Sequence, residues 1–348
     1  MTRRRRRQKK RMAWTVGGAA GLLMLLVGFP MLLGAGQSVD KPSVTPGIQV
    51  ENSAAPMKAQ GAVPETIKVY DHNSGSIVEM GLDDYVCGVV SAEMPASYEL
   101  EALKAQAVAA RTLAVKKSTA QGGDGCVKHP GADVCTEFGH CQDYKTADNL
   151  KKDWGGAYET YAAKIHEAVF STEGQILTYD GRPIQVFYHA VSGGKTEDAQ
   201  AVFGASYPYL KSVSSTGEEK SQNYDRTLTF TNEKFISTFK KSYGKAKLSA
   251  GKLSSQVKIL SYTEGGRVDT IEVGGVAVKG TDFRTVFDLP SAQFDLSFTD
   301  GAVKIHCIGY GHGVGMSQTG ANSMAQNGQD YRAILTHYYG GAEISQLN

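Results

Sequence analysis

The sequence predicts an α+β protein, with antiparallel β hairpins and packed helices around a substrate groove, preceded by one transmembrane helix. Three observations predict it. Short runs at 176–191, 257–273 and 294–308 alternate apolar and polar residues around Gly-containing turns, the pattern of half-buried antiparallel strands. At 98–118, 158–171 and 317–326 the pattern is helical instead, with apolar residues spaced by three and four in the first two. Residues 12–39 carry no charge, and 14–33 are mostly apolar; about 20 such residues span a bilayer as a helix.

The N-terminal region divides by composition. Residues 1–11 form a basic tail and 12–35 a span with Pro30 near its outer end, where a kink is tolerated in lipid. Basic flanks stay cytoplasmic, so the bulk of the chain lies outside. A cleaved signal peptide has the same charge order but an apolar core of about 7–15 residues. This one is longer, and Ala35-Gly36-Gln37 makes a weak cleavage site, so the segment reads as a retained anchor. Residues 36–63, with Pro42, Pro46 and Pro56, read as a flexible stalk, and 64–348 as one extracytoplasmic domain. The net charge of +2 hides an asymmetry: eight cations lie in the tail, which leaves −6 for the rest. That balance argues against a broad basic surface and against nucleic acid as a partner.

Within the outer domain, 66–93 reads as a hairpin with a polar turn at 71–75, then a short helix or strand ending at Glu93. Pro95 stops that element and Ser97 is a candidate N-cap for a long helix. Its Leu100, Leu103, Ala107, Ala110 and Ala114 make one stripe, mostly Ala. Asp180-Gly181 signals a type I′ hairpin between strands at 176–179 and 184–191. Further helices are expected at 233–242, 282–289 and 331–339. Cys307 falls on the inward face of its strand as a core thiol.

Glu93 stands out chemically. Beside Val89, Val90 and Met94 its carboxyl should lose solvation and its pKa should rise, as a general acid requires. Glycoside cleavage usually needs a second carboxylate, and no partner is evident. A lytic transglycosylase does without one, because the sugar's own C6 hydroxyl attacks and leaves a 1,6-anhydro end. The alternatives are that Glu93 caps a helix or pairs with Lys104 or Arg111. A second cluster reads Cys126-x2-His129-x5-Cys135-x4-His140-Cys141. Such Cys/His sets close a structural zinc tetrahedron; a disulfide is the rival, since exported thiols often pair. His189, Ser192, Thr196 and His312 lack a nucleophile elbow, which argues against a serine hydrolase. The Gly-rich turn at 309–315 has no phosphate-loop Lys.

SAEMP at 91–95, LKAQAVAARTLA at 103–114, FYHAVSGGKTED at 187–198, YPYLKSV at 207–213 and GYGHGVGMSQTGANSMAQNG at 309–328 together resemble the stage II sporulation protein D family, to which amidase-enhancer domains are related. The resemblance implies a membrane-anchored, single-pass lytic transglycosylase that cuts peptide-free peptidoglycan glycan strands at N-acetylmuramic acid during forespore engulfment. It implies action between the mother-cell and forespore membranes, after an amidase, stage II sporulation protein P, and assembly by a membrane protein, stage II sporulation protein M. Glu93 is then the catalytic acid/base. Zinc falls to His129, Cys135, His140 and Cys141, with Cys126 an extra thiol able to replace His129. Lys104, Gln106, Arg111, Tyr188, His189, Ser192 and His312 are expected to line the groove. The other reading is a non-catalytic glycan-binding module that enhances a partner amidase.

Overall fold

The computed structural model describes residues 64–347. The expected tail, span and stalk lie outside the described residues, among which no helix is long and apolar enough to cross a membrane. The described residues form an α+β structure with two hydrophobic cores. One is built from residues 67–210 and 314–347, the other wholly from 235–307.

The first lobe begins with the expected hairpin: strand Thr66–Asp71 pairs antiparallel with Ser76–Gly81, and Asp71 accepts from Asn73 N–H in the turn. Helix α1 (Leu82–Glu93) follows at once and α2 (Leu100–Lys117) after a short link. The cap of α2 is Glu99, not Ser97, and makes no side-chain hydrogen bond. Helices α3 (Ala147–Trp154) and α4 (Tyr158–Phe170) come next. Strand Gln175–Tyr179 turns through Asp180 and Gly181, both at positive φ (50° and 70°), as a type I′ turn demands. The expected partner strand at 184–191 is broken. Only Arg182–Pro183 pairs back as a strand, followed by a single bond from Ile184 N–H to Leu177 O at 3.1 Å. Tyr188–His189 pairs instead, in parallel, with Met316–Ser317. A five-residue helix α5 (Ala199–Phe203) follows.

The second lobe is an insertion. Strand Asp225–Thr231 leads to α6 (Asn232–Ser242) and α7 (Leu253–Gln256). Strands Val257–Tyr262, Val268–Val273 and Val276–Lys279 form one antiparallel sheet, followed by α8 (Gly280–Phe287). Strands Phe294–Phe298, Ala302–Ile308 and Asp225–Thr231 form another. Phe235, Phe239, Phe283, Phe287 and Phe294 stack between them, with Cys307 fully buried as expected.

The chain then returns to the first lobe as α9 (Gln318–Gln326), α10 (Tyr331–Tyr338) and strand Glu343–Gln346, which pairs with Gln175–Tyr179. Helix α2 is the axis of this lobe, packed against α1, α4, α9, α10 and strand Gln175–Tyr179. The sequence predicts one buried stripe, yet nearly the whole helix from Ala102 to Val115 is enclosed. Its Ala side chains let neighbours approach on every side, and a helix hemmed in all round is buried all round.

Candidate functional site

Glu93 is the last residue of α1, so it sits on a helix-to-helix link rather than after a strand. Pro95 fixes that end, because a proline two residues on cannot continue the helix. The carboxyl is turned into the lobe. Its Oε1 accepts from Asp143 N–H at 2.9 Å and from the Tyr188 hydroxyl at 3.4 Å. Behind them stands a relay: Gln142 Nε2 donates to the Tyr188 hydroxyl at 2.8 Å, and the Tyr85 hydroxyl donates to Gln142 Oε1 at 3.3 Å. Burial is the largest influence on Glu93 and raises its pKa from 4.5 to about 7; the donors from Asp143, Gln318 and Tyr188 pull the other way. Gln318 opens α9, one residue beyond the Ser317–His189 ladder pair. Among the described residues its buried Nε2 meets no partner at ordinary hydrogen-bond geometry, so its pull on Glu93 is weak.

The cysteine loop lies next door, since Gln142 and Asp143 directly follow Cys141. Cys126, Cys135, His140 and Cys141 converge with all ligand atoms within 4.8 Å of one another. His140 Nδ1 lies 3.5, 3.3 and 3.4 Å from the sulfurs of Cys126, Cys135 and Cys141, and the sulfurs of Cys141 and Cys126 are 4.0 Å apart. A zinc tetrahedron with Zn–S about 2.3 Å and Zn–N about 2.0 Å has edges of roughly 3.5–3.8 Å, so these four fit that ion. The Cys135 thiol is already held down, first by the hydrogen bond from Cys141. The expected ligand His129 is displaced from the set. Its ring stacks flat on Tyr70 (3.6 Å, 7°), and it groups only with Cys135 and Glu137. Cys126 stands in the cluster with Cys135, His140 and Cys141, and its N–H donates to Ala132 O at 2.9 Å across the turn.

The residues expected to line the groove separate sharply. Tyr188 touches Glu93. Arg111 does not: it is fully buried, paired with Asp83 at 2.7 Å, and donates to the carbonyls of Val169 and Thr172 at 2.9 Å each. It neutralises the C-terminal end of α4, a site that favours a cation. Lys104 pairs with Glu101 at 2.7 Å, so neither cation pairs with Glu93. Gln106 is enclosed in the body of α2, its amide without a partner among the described residues. His189 is buried, with Nδ1 3.1 Å from Val314 O. Ser192 is fully buried and donates through both N–H and Oγ to Glu218. His312 remains partly exposed at the junction of the lobes.

Two buried acids escaped the sequence reading. Glu218 accepts from Ser192 N–H and Oγ, Gly193 N–H, Ser215 Oγ and Ser317 Oγ, at 2.5–3.0 Å. Glu197 accepts from Thr263 Oγ1, Gly265 N–H and Asp198 N–H, and lies 3.9 Å from Arg267. Both stand in polar stretches whose sequence carries no periodic signal.

An α+β lobe that presents a desolvated acid beside a Cys/His cluster is the class defined so far, and comparison with known proteins narrows it. Residues 70–179, which hold Glu93 and the whole cluster, match the family described as "Stage II sporulation protein". The chain is 38% identical to stage II sporulation protein D of Bacillus subtilis (strain 168) over 325 residues, 93% of this chain and 91% of that protein. It is 39% identical to stage II sporulation protein D of Bacillus amyloliquefaciens over 285 residues, 82% and 80% of the two chains. The amidase enhancer of Bacillus subtilis (strain 168) is 28% identical over 305 residues, 74% of this chain and 40% of that protein. The chain belongs to the stage II sporulation protein D family, a family of sporulation proteins.

Proposed function

We propose that this protein is a membrane-anchored lytic transglycosylase that cleaves peptide-free peptidoglycan strands at N-acetylmuramic acid, with Glu93 as its acid and base. One observation carries the reading: a single carboxyl raised to about 7 by burial, with two donors trained on one oxygen. Near neutral pH such a group is populated in both forms. Protonated, it gives its proton to the glycosidic oxygen as the bond to C1 breaks. The carboxylate left behind is held by Asp143 N–H and Tyr188 Oη, and then takes the proton of the C6 hydroxyl as that oxygen closes on C1. A second carboxylate has no task in this sequence.

Zinc, in this reading, is held by Cys126, Cys135, His140 and Cys141. Four protein ligands leave no open position, so its part is structural: it fixes the loop whose next two residues are Gln142 and Asp143. The resemblance to the family supplies the setting, the space between the mother-cell and forespore membranes, after stage II sporulation protein P and in assembly with stage II sporulation protein M.

The similarity to the amidase enhancer favours one other reading, a glycan-binding module that stimulates an amidase without cutting. Peptide-free strands incubated with the protein and analysed by mass spectrometry separate the two. Wild type should release 1,6-anhydro ends, and Glu93→Gln should release about 10²–10⁴-fold fewer. Equal yields from both proteins refute the mechanism. Stimulated amidase activity with no anhydro ends from either protein establishes the module instead. For the metal, elemental analysis should find one zinc per chain, lost in Cys126→Ser and kept in His129→Ala. The reverse pattern would return His129 to the ligand set.

A further inference from the structure

Tyr85 takes no part in the chemistry proposed for Glu93, yet it begins the chain of hydrogen bonds that ends there. It lies eight residues before Glu93 on α1 and is fully buried. Its ring stacks on Tyr144 (5.8 Å, 9°). Residues 142–145 are laid against α1. A Cβ on Gly88 would fall 2.1 Å from the Tyr144 ring, Lys145 N–H donates to Gly88 O at 3.2 Å, and Asp143 N–H reaches Glu93. Gln142, only 1% exposed, stands between the two tyrosine hydroxyls with both amide atoms engaged.

The chemistry of these groups gives the chain one direction. An amide nitrogen donates and does not accept, an amide oxygen accepts and does not donate, and a phenol has one hydrogen. Gln142 Nε2, at 2.8 Å, therefore occupies a lone pair of the Tyr188 oxygen, and the Tyr188 hydrogen is left for Glu93 Oε1. Were the amide turned over, its oxygen would face Tyr188 and compete for that hydrogen. The Tyr85 hydroxyl opposes the turn. Among the described residues its acceptor is Gln142 Oε1, and a turned amide would leave this buried O–H facing an N–H₂ group, without an acceptor. Donation from Gln142 also polarises the Tyr188 hydroxyl and strengthens it as a donor.

We propose that Tyr85 is a positioning residue for Glu93: by fixing the Gln142 amide it orders the single hydroxyl hydrogen of Tyr188 onto Oε1. The proposal rests on the reading of Glu93 as acid and base, and says how the carboxylate form is steadied between the two steps. The hydrogen bond from Tyr188 lowers the Glu93 pKa against the effect of burial, so a hydrogen drawn away toward Gln142 leaves the Glu93 proton more tightly held. Asp143 and Tyr188 are the ionisable groups that face Glu93, and Cys135, Cys141 and Tyr144 face Tyr85; removing the Tyr85 hydroxyl alters none of them.

The test is a titration that needs no turnover. The Glu93 carboxyl is followed by carbon-13 NMR in the full chain, labelled at Glu and held in detergent, with Glu93→Gln to assign its signal. Tyr85→Phe keeps the ring and its stack and should raise the proton affinity of Glu93 about threefold. Tyr188→Phe removes the hydrogen altogether and should raise it by up to about tenfold. The double variant should match Tyr188→Phe alone, because no hydrogen remains to be ordered, whereas a merely structural Tyr85 would add its effect in full. An unmoved Glu93 in Tyr85→Phe, or additive effects in the double variant, overturns the proposal. If Tyr85→Phe fails to melt cooperatively, Gln142→Met decides: it removes the amide and should raise the affinity likewise, and an unmoved Glu93 there is equally fatal. Because no bond is cut, a wild type that makes no anhydro ends leaves this test intact and refutes only the lytic reading.

Discussion

Glu93 and Glu218 are both carboxylates turned into the first lobe, and they are equipped in opposite ways. Five donor groups from three separate segments close on Glu218, which has no exposure at all. Glu93 has two well-placed donors, both on one oxygen, and its pKa is raised to about 7. A carboxylate surrounded by donors ties segments together. One that is desolvated with few donors keeps a proton to give. The supply of N–H and O–H groups, more than depth, divides the two acids.

The comparison can be broken most forcefully at Glu218. Glu218→Gln turns donors against an amide N–H₂ group and should cost about 3–5 kcal/mol of stability, read as a lower midpoint in urea. A loss under 1 kcal/mol would mean that the five donors do not need a charge. At Glu93 the same change should act in the opposite direction and only at high pH. Because its folded pKa lies above the unfolded value, the folded state binds the extra proton between pH 4.5 and about 7. Stability is therefore intact below pH 4.5 and lost as pH rises through 7, by about 3 kcal/mol. Glu93→Gln should melt higher than wild type at pH 8 and equally at pH 4; equal melting at both would show that Glu93 carries no raised pKa. The smallest effect is expected at Tyr188. Phenylalanine there removes one donor to the carboxylate, so the alkaline limb of the pH–rate profile should move upward and the rate fall about tenfold. A profile that stays in place would remove Tyr188 from the site.

Much of this was legible in the chain. The two hairpins of the second lobe, the type I′ turn at Asp180-Gly181 and the core thiol Cys307 follow from period-two alternation and turn chemistry, both of which are local. Glu93 was conspicuous as an acid among apolar neighbours. What escaped depends on distance along the chain. Arg111 reads as a free cation on a helix face, and its partners lie 28 to 64 residues away. Gln142 and Asp143 carry no motif and Gln318 lies in a motif far along the chain, yet tertiary contact brings them to Glu93. Strand Asp225–Thr231 is largely exposed, so no buried face marks it. The enclosure of α2 is hidden because Ala, Gln, Arg and Thr do not spell an apolar stripe.

The second lobe enters and leaves the first at almost one point. Tyr224 O accepts from Gly309 N–H at 2.7 Å, and no residue from 225 to 308 belongs to the core of the first lobe. The first lobe is thus a closed body split by a loop 84 positions long, between the flanking residues 224 and 309. Shortening that loop to a tight turn is the kind of deletion a chain tolerates where its ends already touch. Such a truncated protein would keep Glu93, Tyr188 and the cysteine loop while losing Thr263, Gly265 and Arg267, which surround Glu197. The Glu93 site and the second lobe would then be separable pieces of one chain, free to diverge independently.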